Sequence, residues 1–300
     1  MNNDYHIPVM PVESVKGLNL SANDRVVDAT YGGGGHSCLI LGEMEEGQLF
    51  AFDQDEDAAG NVINDDRLFF IRHNFRYLKN FLWFYGVSQV QAVFADLGVS
   101  SHDFDEASRG FSFRLKGNLD MRMNRALKTD ASEVVNKYRE EELVFIFKMY
   151  GEIKNAKRLV SEIIRFRNDQ KIQTTEQLKE ITLRCSPRNT PNKYLAQVFQ
   201  ALRIEVNDEI EALKEFLQAA LEVLVPGGRL AVITYHSLED RLCKNFMKTG
   251  NFEGKVEKDF YGNPQSPFRL VNRKVITPSV RETEKNPRSR SAKLRIAEKI

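Results

Sequence analysis

Residues 28–37 read Asp28-Ala29-Thr30-Tyr31-Gly32-Gly33-Gly34-Gly35-His36-Ser37 and join a short apolar run to the start of a helical pattern. Consecutive glycines let a backbone turn tightly and come close to a ligand. The free N–H groups at the start of a helix attract a carboxylate or a phosphate. The stretch therefore predicts a strand, a glycine loop and a helix that bind a partly anionic ligand, with a purely structural turn as the alternative.

Around this stretch, short apolar runs alternate with segments of helical length. The runs occupy residues 25–29, 49–52, 68–72 and 90–94. Strands that alternate with helices are typical of a parallel sheet with helical crossovers. We therefore expect an α/β fold built on a mostly parallel sheet.

The middle of the chain interrupts this alternation. It reads as mostly helical, with amphipathic stretches at 131–150 and 153–166. We expect residues 108–205 to form an inserted, mostly helical domain. Residues 1–107 and 206–300 would then form one discontinuous domain around the insertion.

Strand and helix patterns resume after the insertion. The expected elements are a helix at about 208–224, a strand at 229–235, a helix at 237–248 and alternating segments at 270–277 and 292–298. The first helix should end at Pro226-Gly227-Gly228, because glycine commonly terminates helices. The two alternating segments predict antiparallel strands at a sheet edge.

Composition limits the class of protein. At 300 residues and 42% hydrophobic side chains, the chain can bury a large core and lies outside the disordered classes. Its start lacks a signal-peptide pattern, and no run approaches the roughly 18 apolar residues of a membrane span. Cys38, Cys185 and Cys243 suit neither a disulfide framework nor a CxxC zinc site. We therefore expect a cytoplasmic protein without a metal site.

The net charge of +1 hides an uneven distribution. Residues 151–205 hold eleven Lys or Arg against six Asp or Glu, and residues 285–295 hold five basic residues and no acidic one. Each stretch suits either contact with a polyanion such as RNA or an ordinary solvated surface.

Asp53 is a candidate ligand-binding residue. It follows the second apolar run, eighteen residues after Gly35, where a carboxylate can accept both hydroxyls of a ribose. A dinucleotide fingerprint fits poorly, because Ser37 or Cys38 stands at its third glycine. A calcium loop starting at Asp53 is excluded, since Ala58 occupies the glycine position.

Phe75 is a second candidate. It follows the third apolar run in His73-Asn74-Phe75, and ligands of open parallel sheets bind where the strands end. Its ring would lie against an adenine face or, as the alternative, pack in the core.

Several longer motifs occur in one order along the chain. They are Asp28 to Ser37, Asp96-Leu97-Gly98-Val99-Ser100-Ser101, Arg109-Gly110-Phe111-Ser112-Phe113-Arg114, Leu119-Asp120-Met121-Arg122-Met123, Phe199 to Ile204, His236-Ser237-Leu238-Glu239-Asp240-Arg241 and Pro287 to Arg295. Together they resemble the bacterial family that methylates cytidine N4 in the decoding centre of 16S ribosomal RNA, over nearly the whole chain.

This resemblance implies a class I, Rossmann-like methyltransferase fold with a helical domain inserted after the fourth strand. It also implies S-adenosyl-L-methionine as cofactor. The residues that would contact the cofactor are Gly34, Gly35 and His36 at the methionine end, Asp53 at the ribose, and Phe75, Asp96 and Asp103 elsewhere. The implied partner is 16S rRNA in the small subunit, and a homo-oligomer is compatible with the sequence.

The chain departs from the family pattern at a few positions. Asp103 stands where the family usually has Gln, Glu56 where it has Pro, and Tyr235 where it has Phe. The run before Phe199 also differs, so the resemblance assigns it no role.

The chemistry of a cytosine amine suggests two catalytic candidates. Its lone pair is conjugated with the ring, so hydrogen-bond acceptors must hold its hydrogens while methyl and nitrogen are aligned. Asp96 and the carbonyls of residues 97–101 are expected to do this, with capping of the next turn as the alternative for Asp96. His236 is expected to contact the base, with a structural histidine as its alternative.

RNA contacts are expected from the basic insertion and the basic tail, which would offset the cost of unstacking the target base. Arg109, Arg114 and Arg122 are further candidates, with surface salt bridges as the alternative. A small-molecule methyltransferase and a non-catalytic ribosome assembly factor are the competing functions.

Overall fold

The computed structural model describes residues 8–99 and 104–300. The chain divides into two compact units, one formed by Met1–Gly98 with Glu211–Ile300 and the other by Val99–Ile210. Within the described ranges, every helix is too short or too polar to span a lipid bilayer.

The elements are numbered in chain order. The helices are α1 (Pro11–Leu18), α2 (Gly35–Gly42), α3 (Leu78–Phe84), α4 (Ala131–Lys137), α5 (Glu140–Met149), α6 (Ala156–Asp169), α7 (Thr175–Cys185), α8 (Pro191–Asn207), α9 (Glu209–Val223), α10 (Ser237–Thr249) and α11 (Val280–Lys285). The strands are β1 (Arg25–Asp28), β2 (Gln48–Phe52), β3 (Leu68–Ile71), β4 (Val90–Asp96), β5 (Leu224–Thr234), β6 (Glu257–Lys258), β7 (Pro264–Gln265), β8 (Phe268–Leu270) and β9 (Lys293–Lys299).

The first unit contains a seven-stranded sheet of order β3-β2-β1-β4-β5-β9-β8. Strands β1 to β5 are parallel, whereas β9 runs antiparallel to β5 and β8 antiparallel to β9. The chain order reverses between β1 and β4, and the carboxyl edge at such a reversal is where α/β sheets bind ligands. This edge carries the glycine loop.

The α/β prediction is therefore confirmed, and the four predicted parallel strands lie where the apolar runs placed them. Most side chains of β1, β2 and β4 are buried, for example Phe50, Phe52 and Phe94 at 0% exposure, whereas the first three residues of β3 are half-buried. Burial on both faces explains why these strands read as continuous apolar runs.

The predicted helix end at Pro226-Gly227-Gly228 is wrong. Helix α9 ends at Val223, and the three residues lie inside β5, where the β4–β5 register shifts between Val90 and Ala92. A Cβ on Gly228 would lie 2.9 Å from the carbonyl oxygen of Gln91. Glycine is therefore needed for a strand irregularity rather than for a helix end.

The predicted edge strands are correct only in part. The segment 292–298 corresponds to β9, but 270–277 is not a strand. Its partner at the edge is the shorter β8, and Ile276 makes only an isolated bridge with Leu294.

The second unit is helical, as predicted, and its helices α4 to α8 enclose a core of their own that includes Phe147, Leu159 and Leu202. The predicted helix 131–150 is two helices, because Tyr138 and Arg139 are extended. Arg167 donates to the carbonyls of Val135 and Tyr138. The Arg167 side chain from α6 thus provides hydrogen bonds to carbonyl groups at the end of α4 and stabilises the break between α4 and α5. The second amphipathic stretch is helical at Ala156–Asp169 rather than from residue 153.

Replacing Phe147 with Ala is expected to destabilise the protein by about 3 to 5 kcal/mol, because it removes a ring from a closed core. Phe147 is 0% exposed, whereas Phe145 on the same helix is 54% exposed. Urea unfolding followed by circular dichroism should separate the two variants. A loss for Phe145→Ala as large as that for Phe147→Ala would contradict this packing.

Candidate active site

Three carboxylates lie side by side at the carboxyl edge of the sheet. Asp28 ends β1, Asp96 ends β4, and Asp53 directly follows β2. Strand β1 pairs with both β2 and β4. The sheet thus brings together two residues that the sequence pointed to and a third, Asp28, that it did not single out.

Asp28 ties the glycine loop to the helix that follows it. Its carboxylate accepts hydrogen bonds from Ser37 Oγ at 2.6 Å and from the Thr30 N–H at 3.1 Å. The side chain is fully buried, and this burial raises its pKa to about 6. A strand-end Asp just before a glycine run was the signal that could have identified it.

Two residues of the glycine loop require glycine. Gly32 and Gly34 have φ angles of 52° and 76°, in the region that side chains disfavour. Gly34 precedes α2 and provides no side-chain cap. The N–H groups at the start of α2 are therefore suited to an external anionic group.

Replacing Gly34 with Ala is expected to lower affinity for S-adenosylmethionine about five- to thirtyfold, because a strain of about 1 to 2 kcal/mol at this positive φ displaces the loop from its binding conformation. The new Cβ would also lie 2.6 Å from Tyr31 Oη. Gly42, at the other end of α2, is the control, since a Cβ there meets nothing within 4 Å. Calorimetric titration measures the affinity; equal affinity for both variants would contradict the predicted role of the loop.

Asp53 is held by the glycine loop. Its Oδ2 accepts from the Gly32 N–H at 2.8 Å, and its Oδ1 accepts from the Asp55 N–H at 2.9 Å. Burial raises its pKa to about 6. Each carboxylate oxygen retains acceptor capacity, so the two hydroxyls of a ribose can still be bound.

Phe75 lies in a short 3-10 turn after β3. Its ring packs edge-on against Phe216 of α9, with ring centroids 5.1 Å apart, and is half-buried. Phe75 therefore packs against the core, as in the alternative expected from the sequence. Its contact with an adenine stays a prediction.

Asp96 is fixed by one hydrogen bond to its side chain and one from its backbone. Tyr235 Oη donates to Oδ1 at 2.7 Å, and His36 Nδ1 lies 3.8 Å from Oδ2. The Asp96 N–H donates to Thr30 Oγ1 at 2.7 Å, which joins β4 to the glycine loop. Burial raises the pKa of the carboxyl to about 7, although the Tyr235 hydrogen bond opposes this shift.

The His36 side chain is directed into the protein. Its Nε2 lies 3.0 Å from the Val9 carbonyl oxygen, which only a protonated nitrogen can satisfy, and its ring packs on Phe94. Because the ring is buried in this way, a cofactor contact at His36 would be made by its backbone.

His236 caps α10. Its Nδ1 accepts from the Glu239 N–H at 3.4 Å, and its Nε2 lies 3.0 Å from Glu239 Oε1. The buried Glu239 carboxylate also accepts from the Tyr235 and His236 N–H groups. The structural role is therefore present, and contact with a base stays a prediction. Asp103, the remaining expected site residue, lies outside the described residues.

Two of the three candidate arginines have structural contacts in the second unit. Arg122 forms a two-pronged ion pair with Asp120, and Arg109 is buried and donates to the Met123 carbonyl. Arg114 lies with its guanidinium 6.0 Å from the Phe113 ring centre. The alternative of an ion pair thus holds for Arg122.

The strand order, the glycine loop before α2 and the acidic residue after β2 define a class I S-adenosylmethionine-dependent methyltransferase. A family model matches residues 3–300, and the chain belongs to the MraW methylase family.

Two relatives carry the name ribosomal RNA small subunit methyltransferase H. The one from Bacteroides thetaiotaomicron is 59% identical, and the one from Bacteroides fragilis is 58% identical; each match covers 98% of this chain and 97% of the relative. A crystal structure of an rRNA methylase from Streptococcus thermophilus is 13% identical, with a TM-score of 0.45 over 98% of this chain and 99% of that one.

Proposed function

We propose that this enzyme methylates the exocyclic N4 amine of a cytidine in the decoding centre of 16S rRNA. The names of its relatives support ribosomal RNA of the small subunit as the substrate. The observation that carries the choice of an amine is Asp96, a buried carboxylate held beside the glycine loop with one oxygen bound to Tyr235. Such a group can accept a hydrogen from an amino group.

The residues present fit S-adenosylmethionine. The uncapped start of α2, at Gly34 and Gly35, provides N–H donors for the carboxylate of its methionine end. Asp53 would accept the ribose hydroxyls, and Phe75 would contact the adenine. His36 would contribute its backbone, because its ring is used inside the protein.

When bound, S-adenosylmethionine supplies a methyl group on a sulfonium, so that transfer forms a nitrogen–carbon bond, breaks a carbon–sulfur bond whose electron pair stays on sulfur, and releases one amine proton. Asp96 Oδ2 accepts a hydrogen bond from the amine and then takes the proton that the amine releases. Its pKa of about 7 suits this transfer near neutral pH. Aligning the amine contributes further, since orientation is worth roughly 7 to 11 kcal/mol.

The distribution of basic residues supports an RNA substrate. In the second unit, exposed cations occur along α6, α7 and the neighbouring loops, including Lys157, Arg158 and Arg184. In the tail, Lys293 and Arg295 instead pair with Asp240. The basic residues at 285–290 of the tail are exposed. We therefore assign phosphate binding to the helical unit, residues 108–205 of the predicted insertion, and to this part of the tail.

The test is transfer of labelled methyl from S-adenosylmethionine to small ribosomal subunits that lack this modification, followed by mass mapping of nucleosides. We expect N4-methylated cytidine at one decoding-centre position. Methylation of another atom would reject the N4 assignment, and cofactor binding without methylation of RNA would favour a small-molecule substrate or an assembly role.

A further inference from the structure

Tyr235 is placed by the sheet. Strand β5 lies beside β4 with Ile233 opposite Asp96, so the residue that follows β5 arrives next to the Asp96 carboxylate. The Tyr235 N–H donates to Glu239 Oε2 at 3.0 Å, and a Cβ on Gly98 would lie 3.4 Å from the Tyr235 ring. The backbone of Tyr235 is thus held by α10, and its ring lies beside Gly98 in the loop after β4.

The surroundings of Asp96 are otherwise acidic. Asp28 on β1, Glu239 on α10 and Glu282 on α11 each favour the protonated form of Asp96. His36 on α2 faces Oδ2, but the 3.8 Å separation is too long for a hydrogen bond. The Tyr235 hydroxyl donates directly to the carboxylate, and burial beside Asp96 raises the pKa of Tyr235 well above its usual range. Tyr235 therefore stays protonated and keeps donating.

We propose that Tyr235, which stands where the family usually has Phe, is a positioning residue for methyl transfer particular to this chain. Its hydroxyl binds Asp96 Oδ1 and so leaves Oδ2 to accept a hydrogen of the substrate amine. This inference rests on the proposed function, in which Asp96 contacts that amine. Without the hydroxyl, the carboxylate would lose its fixed rotation and the hydrogen bond that favours its charged form.

The first test is the pH profile of kcat for Tyr235→Phe, which removes one oxygen atom and keeps the ring. A hydrogen bond to a charged group is worth about 1.5 to 3 kcal/mol, so its loss should raise the pKa of Asp96 by about one to two units. The acidic limb of the kcat profile should move to higher pH by the same amount. We expect a roughly tenfold lower rate at pH 6, recovery of most of the wild-type rate at pH 9, and little change in KM for S-adenosylmethionine. Tyr85→Phe, at a partly exposed tyrosine of the same unit, controls for loss of a phenol and should match wild type.

The second test does not use turnover. The Asp96 carboxyl signal, assigned with Asp96→Asn, is followed by ¹³C NMR during pH titration of aspartate-labelled protein. In Tyr235→Phe it should titrate at higher pH than in wild type. An unchanged titration, or a rate reduced by the same factor at every pH, would overturn the positioning role. If wild type fails to methylate cytidine N4, the proposed function fails, while the NMR titration still reports on the hydrogen bond.

Discussion

Asp96→Asn is expected to slow methyl transfer by about 10²- to 10⁴-fold, because an amide cannot accept the proton released by the amine. The substitution preserves shape, and the Asn oxygen can still accept from Tyr235 Oη. Initial rates of labelled methyl transfer at saturating cofactor measure the effect. Asp66→Asn, at an exposed aspartate of the same unit, is the matched control. Wild-type turnover by Asp96→Asn would remove Asp96 from the mechanism.

The same variant is expected to be more stable than wild type at alkaline pH. Burial raises the pKa of Asp96 from 3.8 to about 7, so between these values the folded state binds more protons than the unfolded state. Stability therefore falls as pH rises through that window. Removing the ionisable group should add about 1 to 3 kcal/mol at pH 8 and almost nothing at pH 4. Thermal unfolding of both proteins at pH 4 and pH 8 tests this. An equal change in stability at the two pH values would show that burying the charged Asp96 carboxylate does not destabilise the fold.

Asp53→Asn is expected to weaken S-adenosylmethionine binding by about 10- to 100-fold, because hydrogen bonds to charged groups are worth about 1.5 to 3 kcal/mol. In wild type, affinity should also fall as the pH drops below about 6, the pKa to which burial raises Asp53, since protonation removes the charge. Titration calorimetry at pH 5 and pH 8 measures both effects. The variant should lose most of this pH dependence; an affinity and profile like those of Asp66→Asn would show that Asp53 does not bind the ribose.

Local patterns were enough to predict the parallel strands and the glycine loop. Strands buried on both faces appear as continuous apolar runs, and consecutive glycines are visible directly in a short segment. They were not enough for the break at Tyr138, which depends on Arg167 of another helix. Helix patterns report which face is apolar, but they do not show that a distant side chain will satisfy the carbonyls of an interrupted helix.

The same limit applies to the site. Asp53 was predicted from its place after a strand, and Asp96 from the family resemblance and the chemistry of the amine. The partner of Asp96 is 139 residues away and depends on the register of β4 and β5. The inward direction of His36 depends likewise on the Val9 carbonyl. The sequence therefore suggested which carboxylates to consider, whereas only tertiary packing defines which of their oxygens accept hydrogen bonds from other residues.

The position of β9 has a consequence for synthesis of the protein on the ribosome. Residues 293–299 insert between β5 and β8, so β5 keeps an unpaired edge until this segment has left the exit tunnel. The helical unit, Val99–Ile210, is complete much earlier. Its core can fold during translation, whereas the sheet that carries the carboxylates is completed only afterwards.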